Sequence, residues 1–155
     1  MTIMDQPITI VERAYEAWQE GDFVEALCAL DPEIRWHQED GLPYAGDYVG
    51  RDAVAQLLRD LLSDFGWFQI KPTHFAAHGD LVAVIGTYEG EGKVTRFHFE
   101  DRFVHLWNVA DGRADWMGLY RASGPALRDL DARLGEIANE LPDMSFLDGA
   151  LALHN

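Results

Sequence analysis

An aromatic stretch in the second half of the chain holds the side chains with the clearest chemical use. The run VTRFHFEDRFVHLW, residues 94–107, lacks Gly and Pro, which predicts one long strand. Successive side chains of a strand point to opposite faces, so Asp101 and His105 share one face. The other side chains on that face are aromatic: Phe97, Phe99, Phe103 and Trp107. A carboxyl and an imidazole are unusual among core aromatics, so we expect this face to line a pocket.

Asp101 is one of two catalytic candidates. Burying an unpaired charge between Phe99 and Phe103 costs several kcal/mol, so in a dry pocket Asp101 is protonated or paired. A protonated Asp101 would donate a hydrogen bond to a developing oxyanion. An Asp101 paired with Arg102 or His105 would instead be structural. We expect the pocket role.

His37 is the other catalytic candidate, as a proton carrier. Its imidazole titrates near neutrality and can take and return a proton, whereas a carboxylate first needs its pKa raised by apolar surroundings. His37 lies near the end of a predicted strand at residues 33–38, where alternation places it on the face opposite Trp36. The alternative is a half-exposed histidine at a strand end beside a loop.

Several side chains are expected to line the predicted pocket and to contact a substrate. They are Tyr15, Trp18, Trp36, Phe99, Phe103, His105, Trp116 and Tyr120. Tyr88 and Trp107 are expected to add area and shape. Aromatic residues in strands are more often core than ligand contacts, and for His105 the alternative is a core histidine bonded to a neighbour.

Several other chemistries lack their sequence patterns. The remaining histidines follow no metal-ligand spacing, and paired cysteines are absent, so we expect no metal. Gly90 and Gly92 flank Glu91, which would repel a phosphate. No Gly-x-Ser-x-Gly pattern occurs, and Cys28 has no visible activating partner. We therefore expect neither a cofactor nor covalent catalysis.

The composition is that of one acidic domain. The 155 residues carry 27 Asp and Glu against 12 Lys and Arg, a formal charge of −15. This charge repels phosphate backbones and anionic lipid, so we expect neither a nucleic-acid nor a membrane partner. The single cysteine and the lack of a signal-peptide pattern lead us to expect a cytoplasmic protein.

Three helices are predicted in the first half of the chain. Thr9 and Glu12 have the spacing of a capping box for the first helix, which ends at Gly21. Asp22 is the expected N-cap of a short second helix. The third helix is expected at residues 52–65, where apolar residues recur at helical spacing.

One strand interrupts these helices and four strands follow them. The segment at residues 39–50 is predicted to be a loop because it is rich in Gly and charged residues. After the third helix, strands are predicted at residues 68–76, 81–89, 94–107 and 114–121. Helices grouped apart from an antiparallel sheet indicate an α+β domain with the helices on one face.

The end of the chain forms a predicted extension. Apolar residues spaced by three and four recur at Leu127, Leu130, Leu134, Ile137 and Leu141, as in a short heptad seam. We expect a terminal helix that packs on its own domain, with a dimer contact as the alternative. The predicted organisation is therefore a domain at residues 1–124 and a helical extension and tail at residues 125–155.

Several stretches together resemble one known family. They are AYEAWQEGDF, the following Asp31-Pro32 and RWH, then YVGRDAV, then FVHLWNVADGRADWMGLY. In this order they are similar to the SnoaL-like polyketide cyclase and ketosteroid isomerase-related group of the nuclear transport factor two-like superfamily, over residues 8–122. The resemblance implies a cone, a strongly curved antiparallel sheet around the helices, with an apolar pocket at its wide end. It also implies a homodimer formed through the outer sheet face.

The resemblance also suggests roles for individual residues. His37 falls where ketosteroid isomerases keep the aspartate that shuttles a proton, and Asp101 where they keep a protonated aspartic acid that donates to the oxyanion. Tyr15 lies one residue from the position of their oxyanion tyrosine, which Ala14 occupies here. The acid/base carboxylate of the SnoaL-like cyclases is replaced by Ala122.

Two functions follow as expectations. In the first, the protein is a cofactor-free isomerase or cyclase that moves a proton on a small, apolar, polyketide- or steroid-like carbonyl compound, with His37 as base and Asp101 as hydrogen-bond donor. In the second, it is a non-catalytic ligand-binding or dimerisation module with the same fold. The enzyme hypothesis predicts that His37 and Asp101 face one cavity.

Overall fold

The computed structural model describes residues 5–121, in which three helices and six strands follow one another. The helices are α1 (Pro7–Gln19), α2 (Phe23–Cys28) and α3 (Arg51–Ser63). The strands are β1 (Leu30–Gln38), β2 (Gly46–Val49), β3 (Phe65–His78), β4 (Leu81–Gly92), β5 (His98–Ala110) and β6 (Arg113–Arg121). The predicted extension at residues 125–155 lies outside the described residues.

All six strands form a single sheet in the order β2-β1-β6-β5-β4-β3. Its neighbours pair antiparallel except β1 and β6, which run parallel, with Trp36 opposite Met117. Helices grouped in the first half and a mostly antiparallel sheet confirm the predicted α+β class.

The sheet has two faces of different character. The inner face carries Trp36, Trp107 and Met117, and it packs against fully buried side chains of the helices, Val11 of α1 and Val54 of α3. The outer face carries the side chains of alternate positions, among them His37 on β1. Register fixes this alternation across the sheet, because directly paired residues point to the same side.

A bend in the sheet makes room for a hollow on the inner face. Gly86 of β4 lies opposite an irregularity of β3 between Pro72 and His74. A methyl group placed on Gly86 would lie 2.8 Å from both the Pro72 Cα and the Phe103 Cζ. Bulges and strand glycines mark such bends and close backbone approaches.

The helix starts differ from the prediction in one case. Asp22 caps α2 as predicted, since its Oδ1 accepts a hydrogen bond from the Glu25 backbone N–H at 3.1 Å. The predicted capping box at Thr9 is wrong, because α1 begins at Pro7 with Gln6 as N-cap and no side-chain cap. Proline at the first helical position already has a helical φ and has no N–H to satisfy.

Two strand predictions also need correction. The predicted loop at residues 39–50 contains β2, which pairs with the last residues of β1. Gly46, which begins β2, and Gly50, which follows it, both have a positive φ. The long strand begins at His98 and not at Val94. Residues 93–97 form the β4–β5 turn, in which Arg96 has a φ of 60° and the Gly92 N–H donates to the Phe97 carbonyl.

Candidate functional site

A cavity of about 370 Å³ lies between the inner face and the three helices. Most of its lining is apolar and comes from every helix and from β1, β3, β4, β5 and β6. The polar or charged side chains among the described lining residues are few: Tyr15, Gln38, Tyr88, Asp101, His105 and Arg121, besides the indoles of Trp18, Trp36 and Trp107. An apolar hollow with a few converging polar groups is the usual form of a small-molecule site.

Four of these side chains form a hydrogen-bonded cluster around His105. The Tyr15 hydroxyl lies 2.6 Å from His105 Nδ1 and accepts from Trp107 Nε1 at 3.0 Å. The Tyr88 hydroxyl contacts His105 Nε2 on the other side of the ring. The Phe103 ring stacks on the imidazole with a centroid distance of 4.0 Å and holds the imidazole in place.

Burial sets the protonation of this cluster. Removal from water lowers the pKa of His105 to about 3, so the imidazole is neutral at physiological pH. Burial also raises the pKa of Tyr15 and of Tyr88 well above the ordinary value for a phenol. Both phenols therefore keep their protons.

The hydrogen bonds of the cluster leave one donor hydrogen over. Trp107, Tyr15, His105 and Tyr88 each bring one donor hydrogen, and three contacts join them. If Tyr15 donates to Nδ1, then Nε2–H donates to the Tyr88 oxygen and the Tyr88 hydrogen is left over. In the other tautomer, Tyr88 donates to Nε2 and the Tyr15 hydrogen is left over. Both phenols line the cavity, so in either tautomer a hydroxyl can donate to a ligand.

The exposed part of the cavity lining carries a loose ion pair. Asp101 Oδ2 lies 4.0 Å from Arg121 Nε, and the two side chains are 58% and 45% exposed. Asp101 Oδ1 also accepts from the Arg102 backbone N–H at 2.9 Å. The expectation that Asp101 is sheltered is therefore wrong, because its side chain lines the cavity at an exposed position beside Arg121.

Most of the predicted substrate contacts line the cavity. They are Tyr15, Trp18, Trp36, Phe99 and His105. Phe103 lies beneath this surface, fully buried against the rings of Tyr88 and His105. It supports the cluster and is not a lining residue.

Three predicted site residues lie on the outer face, away from the cavity. His37 is paired in register with Gly118 and Asp47, and its Nδ1 lies 2.8 Å from Asp47 Oδ1. Trp116 and Tyr120 alternate with the inner-face residues of β6 and so share the side of His37. Trp36 and Gln38, the neighbours of His37 on β1, point inwards, so His37 points outwards. The expectation that His37 and Asp101 face one cavity is therefore wrong.

Three polar lining residues were not predicted as polar site residues. Tyr88 was expected to supply only area, although its position on the strand paired with β5 puts it on the face of His105. Gln38 was expected only as the last residue of a strand; it accepts from Trp36 Nε1 at 3.1 Å and donates to the Pro43 carbonyl at 2.8 Å. Arg121 gave no signal beyond ending the last predicted strand.

Within residues 5–121, no group of three His, Cys, Asp or Glu side chains is arranged to hold a metal ion. None of the three helices in this part of the chain has the length and apolarity needed to cross a membrane.

Comparison with known proteins gives matches of two kinds. The family model of the SnoaL-like domain matches residues 11–116. A search among curated proteins found no match. Solved structures with this fold are numerous, and three illustrate the range.

The first two are NTF2-like proteins from Burkholderia species. One, of unknown function, from Burkholderia pseudomallei, is 28% identical with a TM-score of 0.70, over 81% of this chain and 97% of that one. The other, from Burkholderia thailandensis, is 26% identical with a TM-score of 0.73, over 81% and 97%. A Xanthomonas campestris protein provisionally assigned as a polyketide cyclase is 21% identical with a TM-score of 0.66, over 82% and 96%. These similarities confirm the predicted cone-shaped fold.

Proposed function

The chain belongs to the SnoaL-like family, as its resemblance predicts, and on this premise we propose that it acts on a small, apolar, carbonyl-bearing compound such as a polyketide or steroid-like ring. It moves a proton next to the carbonyl, as an isomerase or cyclase, without a cofactor. The observation that carries the proposal is the donor hydrogen left over by the Tyr15–His105–Tyr88 cluster in an apolar cavity.

The phenol hydrogen is proposed to bind the carbonyl oxygen. When a proton leaves the carbon next to a carbonyl, negative charge develops on that oxygen. A fixed donor in a water-poor site stabilises the charge more than it stabilises the neutral carbonyl, which lowers the barrier. The raised pKa values of Tyr15 and Tyr88 keep the hydrogen on the phenol, so it is shared and not transferred.

Asp101 is the group proposed to carry the proton. Its carboxylate lines the mouth, whereas His37, on the outer face, cannot contact a ligand in the cavity. Asp101 precedes His105 by four residues on β5, about 13 Å along a strand, and it pairs in register with Tyr88 of the cluster. The C–H bond breaks, its proton passes to the carboxylate, and its electron pair forms the enolate. Return of the proton to another carbon completes an isomerisation.

A β,γ-unsaturated steroid ketone tests this reaction, because its conversion to the conjugated ketone changes the ultraviolet absorbance. We expect turnover by the unaltered protein and a kcat lower by about 10²-fold or more in the double variant Tyr15→Phe/Tyr88→Phe, which removes both possible oxyanion donors. Asp101→Asn removes the proton carrier and is expected to abolish turnover. Tyr44→Phe, at an exposed tyrosine bonded to Asp64, is the matched control and keeps full activity.

A non-catalytic binding module is the second candidate. It is favoured by Ala122, which stands where cyclases of this family are expected to keep a carboxylate, and by the exposure of Asp101. Fluorescence titration with 2-naphthol separates the two functions. Binding without turnover of the ketone supports the module, turnover supports the enzyme, and the absence of both removes the ligand site altogether.

A further inference from the structure

The mouth of the cavity carries a cation that the proposed proton transfer does not use. Among the described residues that line the cavity, Arg121 is the single Lys or Arg, in a chain with a formal charge of −15. Its Nε lies 4.0 Å from the Asp101 carboxylate, which is too far for a hydrogen bond.

The surrounding backbone holds Arg121 in this position. The Arg121 backbone N–H donates to Glu39 Oε1 at 2.7 Å, and the Glu39 backbone N–H donates to the Leu119 carbonyl at 3.1 Å. The guanidinium lies against the bare backbone of Gly41, where a methyl group would approach Arg121 Nη1 to 3.3 Å. Gly41, Leu42 and Pro43 line the cavity beside it, so the guanidinium forms part of the rim.

The cavity lining therefore offers two kinds of polar group. His105 pairs with Leu119, two residues before Arg121, so the backbone positions of His105 and Arg121 lie two residues, about 7 Å, apart along the strand direction. Most of the remaining lining is apolar. A ligand that contacts both groups has an apolar ring system that carries a hydrogen-bonding oxygen and a second group that pairs with guanidinium.

Resting on the proposed function, we propose that the ligand is an anion: a ring compound whose carboxylate binds Arg121 at the mouth while its carbonyl or phenol oxygen binds Tyr15 or Tyr88. Guanidinium pairs with carboxylate through parallel N–H donors, the geometry for which arginine is suited. Asp101 competes for the same cation. The anion of the ligand takes its place at Arg121 and leaves the Asp101 carboxylate available for the proton.

A matched pair of probes tests the inference on the full chain. 2-Naphthol and 6-hydroxy-2-naphthoic acid share the ring and the phenol and differ in the carboxylate, and fluorescence titration gives both Kd values. We expect the acid to bind more tightly. Arg121→Met should weaken the acid by about tenfold to a hundredfold and leave 2-naphthol unchanged. Arg113→Met removes the same charge from an exposed position of β6 and should change neither Kd.

Asp101→Asn provides the opposite change. Loss of the competing carboxylate should strengthen binding of the acid and leave 2-naphthol unaffected. Equal Kd values for the two probes in the unaltered protein, or a preference for the acid that survives Arg121→Met, would overturn the inference while leaving the proposed ligand site in place. If neither probe binds, the inference and the proposed function fail together.

Discussion

His105 joins the two phenols of the cavity because it is neutral and able to accept on one nitrogen and donate on the other. Its burial is total, and the folded protein holds it uncharged down to a pKa of about 3. An ordinary histidine would be partly protonated at neutral pH. In that form both ring nitrogens carry a hydrogen, and neither can accept a hydrogen bond from a phenol. The chemistry of the site therefore depends on the dryness of a single imidazole.

This burial makes stability depend on pH in a defined window. The unfolded chain takes up a proton near pH 6.5, whereas folded His105 does so only near pH 3, so the unfolded state binds more protons between these values. The stability is complete above pH 6.5 and falls as the pH drops, by at most about 1.4 kcal/mol per pH unit from this group.

Urea unfolding at pH 7 and pH 5 measures the effect. We expect His105→Gln to be less stable than the unaltered protein at pH 7 but to lose less stability between the two values. His78→Gln, at the exposed last position of β3, controls for the loss of a histidine. An unchanged pH dependence in His105→Gln would show that the imidazole is charged or solvated in the folded state.

At this scale the sequence was sufficient for some residues and not for others. Alternation along the predicted strand already placed His37 opposite Trp36, and the two cannot line one cavity. The exposure of Asp101 was not predictable, because it depends on where the turn at residues 93–97 and Arg121 lie. The cluster around His105 joins α1, β4 and β5, so no single stretch of sequence reveals it.

Among the elements, the bend of β3 and β4 shapes the hollow. It depends on Gly86, since a side chain there would meet the Phe103 ring and the backbone of Pro72. Phe103 in turn supports the imidazole of His105. Curvature of the sheet and alignment of the hydrogen-bonded cluster are therefore coupled through one glycine.

Gly86→Ala is expected to lower the free energy of unfolding by about 1–3 kcal/mol, because backbone atoms and a fully buried ring cannot move aside cheaply. The urea midpoint measures this loss. Gly66→Ala is the matched control at the start of β3, where a methyl group meets nothing closer than 3.8 Å and φ is not positive. Equal midpoints for the two variants would contradict the coupling between Gly86 and the bend.

Most helices and strands were predictable and the shortest strand was not. Helical spacing located α3, and alternation located β4 and β6 to within a few residues. The four residues of β2 are too few to show a period, and pairing with β1 defines them. The strand predicted at residues 94–107 opens with the β-branched Val94 and Thr95, yet these residues belong to the turn, and Val94 is 91% exposed.

For the whole molecule, the outer face raises the question of what covers it. Val104, Leu106 and Tyr120 point to that face and are fully buried, although the described helices pack on the inner face. They offer little accessible surface to a second copy of the chain. Both the homodimer and the packing of residues 125–155 on their own domain stay predictions.

Comparing the full chain with residues 1–124 tests both. We expect light scattering to give the mass of a dimer for the full chain and for the truncated one. The truncated chain should melt several degrees lower and bind more of a hydrophobic dye, because the predicted packing of residues 125–155 on their own domain is lost. A truncated chain that becomes monomeric with an unchanged melting temperature would instead make the seam from Leu127 to Leu141 the dimer contact.

The parallel pairing of β1 with β6 has a consequence during protein synthesis. Trp36 and Gln38 reach their neighbours Met117 and Leu119 only after nearly all of the described chain has left the ribosome. Until then the edges of β1 and β5 are both open to wrong partners. A nascent chain that ends before β6 therefore lacks Met117, Leu119 and Arg121, three of the residues that line the cavity.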